Sequence, residues 1–554
     1  MAVYTVGVDF GTLAVRALVA EVGSGRELAS ASAEYSHAVM TQQLPDGTPL
    51  GRDWALQHPQ DYVDCLRYVV HEAIRKAQID PPKVVGLGLD FTASTTMPVD
   101  PNGHPLCLKP EWQSHPFAWP MLWKHHAAQK YADRMTLIAQ ERGEAFLQRC
   151  GGRISSELML PRLWQTAVEA PEIYDAANRF VEAGDWIIQQ LTGSDACSAN
   201  VASYKLFWDE ESGYPGKDFL AALDARLIHV TDKLGHRLLP LGSKAGEMNA
   251  YGAELTGLLP GTAVSVTCVD AHACLPAAGV VESGMMALIL GTSGAHLALN
   301  EEERRVPGLL CMAKDGMIPG FYAYEAGQSC CGDHFKWMVD RSISADYEKE
   351  AAQKGIGVHE LLTHKASQLR AGENGLIALD WWNGNRSVLM DSEVSGMMAG
   401  LTLQTRPEEI YRALIEATAY GTRVIIENFE AHGVPIREVR VCGGIARKNQ
   451  LLMQIYADVL NRPLRVVRLR EATALGSAIF AAVAAGCYTD IRQASLVMGG
   501  TDETAYEPDP EAVHIYDELY REYLRLHDCF GRGENSVMHK LKEIARQQKK
   551  RGVL

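Results

Sequence analysis

Apolar residues open this chain in short alternating runs that predict strands at 4–9, 14–22 and 28–35, then recur at helical spacing over 60–77. A strand is expected at 83–90, and a short strand ending near Val99 precedes the turn signal Asp100-Pro101-Asn102-Gly103. Helical periodicity dominates 121–191, where GDWIIQQLTG reads as a helix closed by Gly193, and a loop-rich stretch leads to a strand at 263–268. The second half predicts a strand at 286–290, a long helix near 407–431 and a strand at 438–442. A Gly443-Gly444 turn, a helix to about 461, a strand at 464–467 and a helix at 473–485 follow. The pattern is mixed α/β.

Within it, VGVDFGTLAVRALVAEV (6–22) is an apolar strand ending on Asp9, a turn through Gly11-Thr12 and a second apolar strand past Arg16. Gly11 lets backbone amides approach phosphate oxygens, Thr12 adds a hydroxyl donor, and Asp9 can hold a Mg²⁺ shell. Alone, the stretch reads equally well as an ordinary hairpin with an acidic tip. The segment MALILGTSGAHLALN (286–300) repeats it, with Gly291-Thr292 falling on Gly11-Thr12 about 280 residues further on. Two phosphate hairpins on two halves imply a cleft between two similar domains.

Composition narrows the classes. The 554 residues, 47% hydrophobic and 22% charged, suit a soluble protein of two or more domains. The net charge of −15 argues against a nucleic-acid or anionic-membrane partner, although a small anion can still bind where local amides and a metal set the field. The twelve cysteines contain no C-x-x-C pair, and only Cys330-Cys331 are adjacent, so reduced thiols of a cytoplasmic protein are expected. The longest apolar stretch, ALGSAIFAAVAAGCY (474–488), is too short and too rich in small residues to span a bilayer and reads as a buried helix lying close to another backbone. Residues 536–554 are expected to form a basic helical tail, solvated or frayed, carrying Lys540, Lys542, Arg546, Lys549, Lys550 and Arg551.

The common nucleotide signatures, G-x-x-x-x-G-K-[ST] and G-x-G-x-x-G after a strand, are absent, and Asp9-Phe10-Gly11 has no protein-kinase catalytic loop to accompany it. VCGGIARKN (441–449) sets Gly443-Gly444 between strand and helix, where backbone can lie flat against a base, though such turns are common. With both hairpins, it resembles the FGGY family of sugar kinases, in the superfamily that also holds actin and the heat-shock chaperone ATPases. GMMAGLTLQTRPEEIYRALIE (396–416) resembles that family's C-terminal signature, and EATALGSA (471–478) its inter-domain helix. LWKHH (122–126), AGDWIIQQLTG, SYKLFWD (203–209) and WWNGNR (381–386) look like the members that phosphorylate ribulose. Relatives acting on glycerol or xylulose carry an acidic-then-Arg pattern where this chain has Lys124-His125-His126.

The resemblance implies two actin-like (ribonuclease H-like) α/β domains, 1–281 for sugar and 282–535 for nucleotide, with mixed β-sheets flanked by helices and an inter-domain catalytic cleft. ATP and Mg²⁺ are the expected cofactors, a ketopentose the substrate, L-ribulose favoured. Gly11, Thr12, Arg16, Gly291, Thr292, Gly443, Gly444 and Asn449 would contact the nucleotide; Asp9 and Asp270 would serve the metal. In CVDAHA (268–273), Asp270 is by resemblance the catalytic base, while the residues alone favour a helix N-cap, and a metal pair with His272 suits Mg²⁺ poorly. Lys205, Asp270, Glu325 and the backbone at Ala93 would line the sugar. By themselves, Lys205 reads as a snorkelling surface lysine and Glu325 as a strand-end residue after GFYAY. Trp123 would cover a sugar face or serve as core. His125, His126, Trp381 and Trp382 are given no catalytic role. A homodimer is left open, as are xylulose, ribitol or glycerol as substrate and a non-kinase ATP-binding protein of the actin or chaperone kind.

Overall fold

Strand β1 (Tyr4–Phe10) turns antiparallel into β2 (Ala14–Glu21) in a computed structural model that describes residues 2–468, 471–533 and 535–551. After β3 (Glu27–Glu34), helix α1 (Pro59–Ala77) crosses to β4 (Val84–Phe91), which runs parallel to β1 with Asp9 opposite Asp90. Helix α2 (Ala199–Leu206), β5 (Lys244–Glu247), β6 (Ala263–Ser265), β7 (Cys268–Val269) and helix α3 (Asp270–Ala278) complete the first half. The sheet order is β3-β2-β1-β4-β6-β5, with β7 also on β4.

The second half repeats the plan. Strands β8 (Gly284–Leu290), β9 (Gly294–Asn300), β10 (Cys311–Lys314) and β11 (Tyr322–Gln328) precede helix α4 (Pro407–Ala431), β12 (Ile436–Cys442), β13 (Leu464–Val467) and β14 (Thr501–Tyr506). Their order is β10-β11-β9-β8-β12-β13-β14, and β12 is parallel to β8 as β4 is to β1. Each half therefore pairs a hairpin on one side with a parallel strand on the other.

Two expectations are corrected. The strand expected at 263–268 is split into β6 and β7 because Val266 N–H turns away to the Ser243 carbonyl (3.0 Å). The stretch 121–191 holds a strand, Arg179–Glu182, paired antiparallel with Thr96–Val99, a distant partner that local periodicity does not reveal.

Helix α5 (Ala472–Ala484) comes from late in the chain yet lies on the first sheet, and Ala472 to Met498 contribute to the first hydrophobic core. The approach depends on glycine. A Cβ at Gly7 would lie 1.7 Å from the Ala474 carbonyl oxygen, at Gly88 2.1 Å from that of Ser477, and at Gly476 1.7 Å from that of Ala273 on α3. The expected buried helix close against another backbone is thus present. The basic tail is helical from Val537 to Arg551 and docked: Lys542 donates to the carbonyls of Ser392 (2.8 Å) and Val394 (3.1 Å), and Arg546 pairs with Glu393 at 2.7 Å. The side chains of Lys549, Lys550 and Arg551, and residues 552–554, lie outside the described residues. All twelve cysteines are free, and among the described residues no helix is long and apolar enough to cross a membrane.

Candidate active site

The two parallel strands β1 and β4 deliver Asp9 and Asp90 side by side, and α3 begins beside them with Asp270. Asp9 accepts from Arg16 Nη1 (3.1 Å) and from Thr473 Oγ1 (3.0 Å). Asp90 is fully buried and accepts from Ser477 Oγ at 2.6 Å, while its Oδ1 has no partner among the described residues. Thr473 and Ser477 are one turn apart on α5, so one helix face holds both carboxylates. Asp270 is the first residue of its helix rather than its cap, which is Val269, and its Oδ1 accepts only the next amide, that of Ala271, at 2.7 Å. Burial, reinforced by the charge of Asp9, pushes the Asp270 carboxyl up to about 7. Burial and Asp9 likewise raise Asp90 well above the carboxylate range. Asp9, Asp90 and Asp270 influence one another electrostatically, and one oxygen of Asp90 is left without a partner among the described residues; carboxylate oxygens are the donor type a hard cation such as Mg²⁺ takes.

The phosphate hairpins differ from expectation in one detail. Gly11 N–H closes its own turn on the Ala14 carbonyl (3.0 Å), as Gly291 N–H does on Ser293 (3.0 Å), so neither glycine amide is free for the expected phosphate contact. Thr12 is held from two sides, its hydroxyl accepting from Trp123 Nε1 (3.1 Å) and its carbonyl from Gln57 Nε2 (2.9 Å). The carbonyl of Thr292 accepts the Cys331 amide at 2.8 Å. Gly443 adopts φ 110°, and a Cβ there would lie 2.2 Å from the Leu290 carbonyl oxygen, which ties the glycine turn to the end of β8; Gly444 faces open space. Asn449 is occupied locally, its Oδ1 capping the next helix at Leu452 N–H (3.0 Å) and its Nδ2 donating to Thr363 (3.3 Å).

Lys205 is mostly enclosed, its side chain 13% exposed, rather than snorkelling on the surface, and Glu325 lies inside β11 rather than past its end. They come from opposite halves, with Nζ 3.9 Å from Oε2. His272 Nε2 reaches the same oxygen at 3.4 Å. Burial alone would raise Glu325, but Lys205 and His272 outweigh it and hold the carboxyl down at about 2. Lys205, whose charge burial opposes, is kept protonated by Glu325. Ala93 is half-buried beside Ser94, whose carbonyl accepts from Arg162 Nη1 at 2.6 Å. Arg162 is itself fully buried and also donates to the carbonyls of Met121 (3.1 Å), Trp123 (2.7 Å) and Ser156 (3.1 Å), tying three loops together.

A cavity of about 560 Å³ opens between the halves, lined by Trp123, Lys124, Glu157, Thr292, Asn385 and Arg386 among others. Asp9, Lys205, Asp270 and Glu325 do not line it; Trp123, through its bond to Thr12, joins it to the first hairpin. Arg386 bridges the halves to Glu157 at 3.1 Å. His125 is buried, accepts the Ala55 amide (3.3 Å) and is kept neutral by burial, its value near 3. Trp381 is fully buried and Trp382 packs edge-on against His334 and Trp337.

Sequence reasoning missed Asp90, Arg162, Asn200 and the contact of His272. Asp90 alone had a visible signal: VGLGLDF carries an aspartate before its final phenylalanine just as VGVDF does. The other three act through tertiary partners far away in the chain.

Known proteins agree with this architecture. The xylulose kinase of Rhodospirillum rubrum superposes with a TM-score of 0.77 at 24% identity, over 95% of this chain and 98% of that one. The ribulokinase of Halalkalibacterium halodurans is 49% identical over 547 residues, 98% of this chain and 97% of that protein. That of Geobacillus thermodenitrificans is 50% identical over 556 residues, 99% and 98% respectively. The N-terminal domain model of the FGGY carbohydrate kinases matches residues 4–275 and the C-terminal domain model residues 286–485. A duplicated sheet with a Gly-Thr hairpin on each half and these matches over nearly the whole length make the chain a member of the FGGY family of carbohydrate kinases.

Proposed function

We propose that this kinase transfers the γ-phosphoryl group of ATP to ribulose, L-ribulose favoured, giving ribulose 5-phosphate in arabinose breakdown. The convergence of Lys205 and Glu325, from opposite halves, beside Asp270 carries this reading. A polyol needs such a mixed set of donor and acceptor, because each hydroxyl left unpaired in a closed cleft costs about 1–3 kcal/mol. Relatives named ribulokinase at about half identity support the choice of sugar. Residues 1–281 bind mainly the sugar and 282–535 the nucleotide, with α5 of the second segment seated on the first sheet.

In this reading, Asp270 accepts the proton of the sugar hydroxyl as that oxygen bonds to the γ-phosphorus and the bridging oxygen leaves on ADP. A carboxyl whose value lies near 7 is matched to this task at neutral pH. Asp9 and Asp270 would hold Mg²⁺, which when bound spreads the charge developing on the phosphoryl oxygens. Thr12, Arg16 and the Gly291-Thr292 turn meet the phosphates, and Gly443-Gly444 and Asn449 lie beside adenosine. A coupled ADP assay over ribulose, xylulose, ribitol and glycerol tests the proposal. Ribulose should give the highest kcat/KM; a higher value for another sugar would reassign the substrate, and no sugar-stimulated ADP release would remove the kinase reading.

A further inference from the structure

His272 is fully buried on the first turn of α3, two residues beyond Asp270, and takes no part in the reaction as described above. Its Nδ1 lies 2.8 Å from Asn200 Nδ2. The orientation of the Asn200 amide is fixed by two backbone groups: Val269 N–H donates to its Oδ1 at 2.9 Å, and its Nδ2 donates to the Gly316 carbonyl. Asn200 therefore presents N–H to the imidazole, which must accept at Nδ1 and carry its proton on Nε2. That Nε2–H faces Glu325 Oε2 at 3.4 Å. The Tyr204 ring closes the edge of the imidazole at 4.4 Å, and its hydroxyl donates to the Ala323 carbonyl on the strand that carries Glu325.

We infer that His272 is a positioning residue for the sugar site: with its tautomer locked by Asn200, its unpartnered Nε2–H is placed to donate to Glu325 Oε2 when the sugar is bound, and so aims Oε1 at a substrate hydroxyl. Lys205 approaches the same Oε2, so the two donors pin one oxygen and leave the other to accept from the polyol. Lysine alone, at 3.9 Å on a flexible stem, fixes charge but not orientation. The imidazole is fully buried and bonded to Asn200 at Nδ1, while its Nε2, which has no hydrogen-bond partner among the described residues, faces Glu325 Oε2. Asn200 and His272 belong to the first half and Glu325 to the second, so the relay also registers the two halves at the sugar.

This inference rests on Glu325 being a sugar contact, and the test separates the two. KM for ribulose, kcat and sugar-free ATP affinity are measured for His272→Ala, His272→Gln, Glu325→Ala and the double variant His272→Ala/Glu325→Ala, with thermal denaturation to establish that each is folded. His272→Ala should raise KM about tenfold, the lower end for one charge-assisted hydrogen bond, with a much smaller change in kcat and in ATP affinity. His272→Gln should recover most of the loss because its side-chain N–H can reach the same oxygen. Adding His272→Ala to Glu325→Ala should raise KM no further. If the glutamine variant is as impaired as the alanine one, or if the two losses multiply in the double variant, His272 does not act through Glu325 and the inference is overturned. If Glu325→Ala leaves KM unchanged, the sugar-site reading itself has failed and the relay falls with it.

Discussion

A carboxylate taken out of water beside another keeps its charge only at a cost, and burial, reinforced by Asp9, gives Asp270 an affinity for protons that an exposed aspartate lacks. A base needs this property, whereas a helix cap would have its oxygens committed to N–H groups further along the helix, and Asp270 is bonded only to the amide beside it. Asp270→Asn preserves shape and removes the proton acceptor. Turnover should fall at least about a hundredfold while equilibrium dialysis shows both substrates still bound. Near-normal turnover would assign the base elsewhere. Around this residue, Asp90 and Arg162 act indirectly: Asp90 is anchored to α5 through Ser477, and Arg162 ties the loops of Ser94, Met121, Trp123 and Ser156 through their carbonyls.

At the scale of elements, α5 matters most, because Thr473 and Ser477 reach the two strand-end aspartates only while the helix lies almost on the backbone of β1 and β4. Gly7→Ala would drive a methyl group into the Ala474 carbonyl. It should cost about 3 kcal/mol or more, read as a lower urea midpoint, and should depress turnover by lifting Thr473 from Asp9. A variant of unchanged stability would mean that the helix can move aside freely. The turn after the Thr96–Val99 strand offers a second test. Burial alone would raise Asp100, but Lys109 at 2.7 Å and the amides of His104 and Asn102 outweigh it and lower its carboxyl to about 2. A depressed value contributes stability above the unfolded-state value of 3.8 that is lost as pH falls through about 2. Asp100→Ala should therefore cost about 1–2 kcal/mol at pH 7, and its deficit against the parent should shrink as denaturation is followed from pH 4 toward pH 2.

For the whole molecule, the two Gly-Thr hairpins sit on separate sheets, so under the proposed function one ATP would be gripped by both only when the halves approach. Arg386–Glu157 and the bond from Arg153 to the Met390 carbonyl (2.8 Å) already span them at the cavity. Under the proposed function, sugar contacts from both halves through Lys205 and Glu325 would give the closed state a differential affinity, without which no ligand could shift the equilibrium. Small-angle scattering should show a smaller radius of gyration with ribulose and a non-hydrolysable ATP analogue than without them. An unchanged radius with both ligands demonstrably bound would mean a preformed cleft.

Local chemistry was enough to determine a great deal. Alternating apolar runs specified β1 and β2 with the Gly11-Thr12 turn, the repeat at Gly291-Thr292 specified a duplicated fold, and periodicity specified α4 residue for residue. These features depend on neighbours within a few positions, which the chain itself supplies. What lay outside its reach depended on contacts across hundreds of residues. The strand Arg179–Glu182 exists because Thr96–Val99 pairs with it, and the break between β6 and β7 because Val266 bonds to Ser243. Asp270 and Glu325 were legible as acids but not in their protonation behaviour, since that is set by burial and by which charges the fold brings near. Asn200 carried no signal, and His272 was legible only as a poor metal partner for Asp270: an asparagine and a histidine become a relay only when Gly316 and β11 of the other half close over them, and that geometry belongs to the tertiary structure alone.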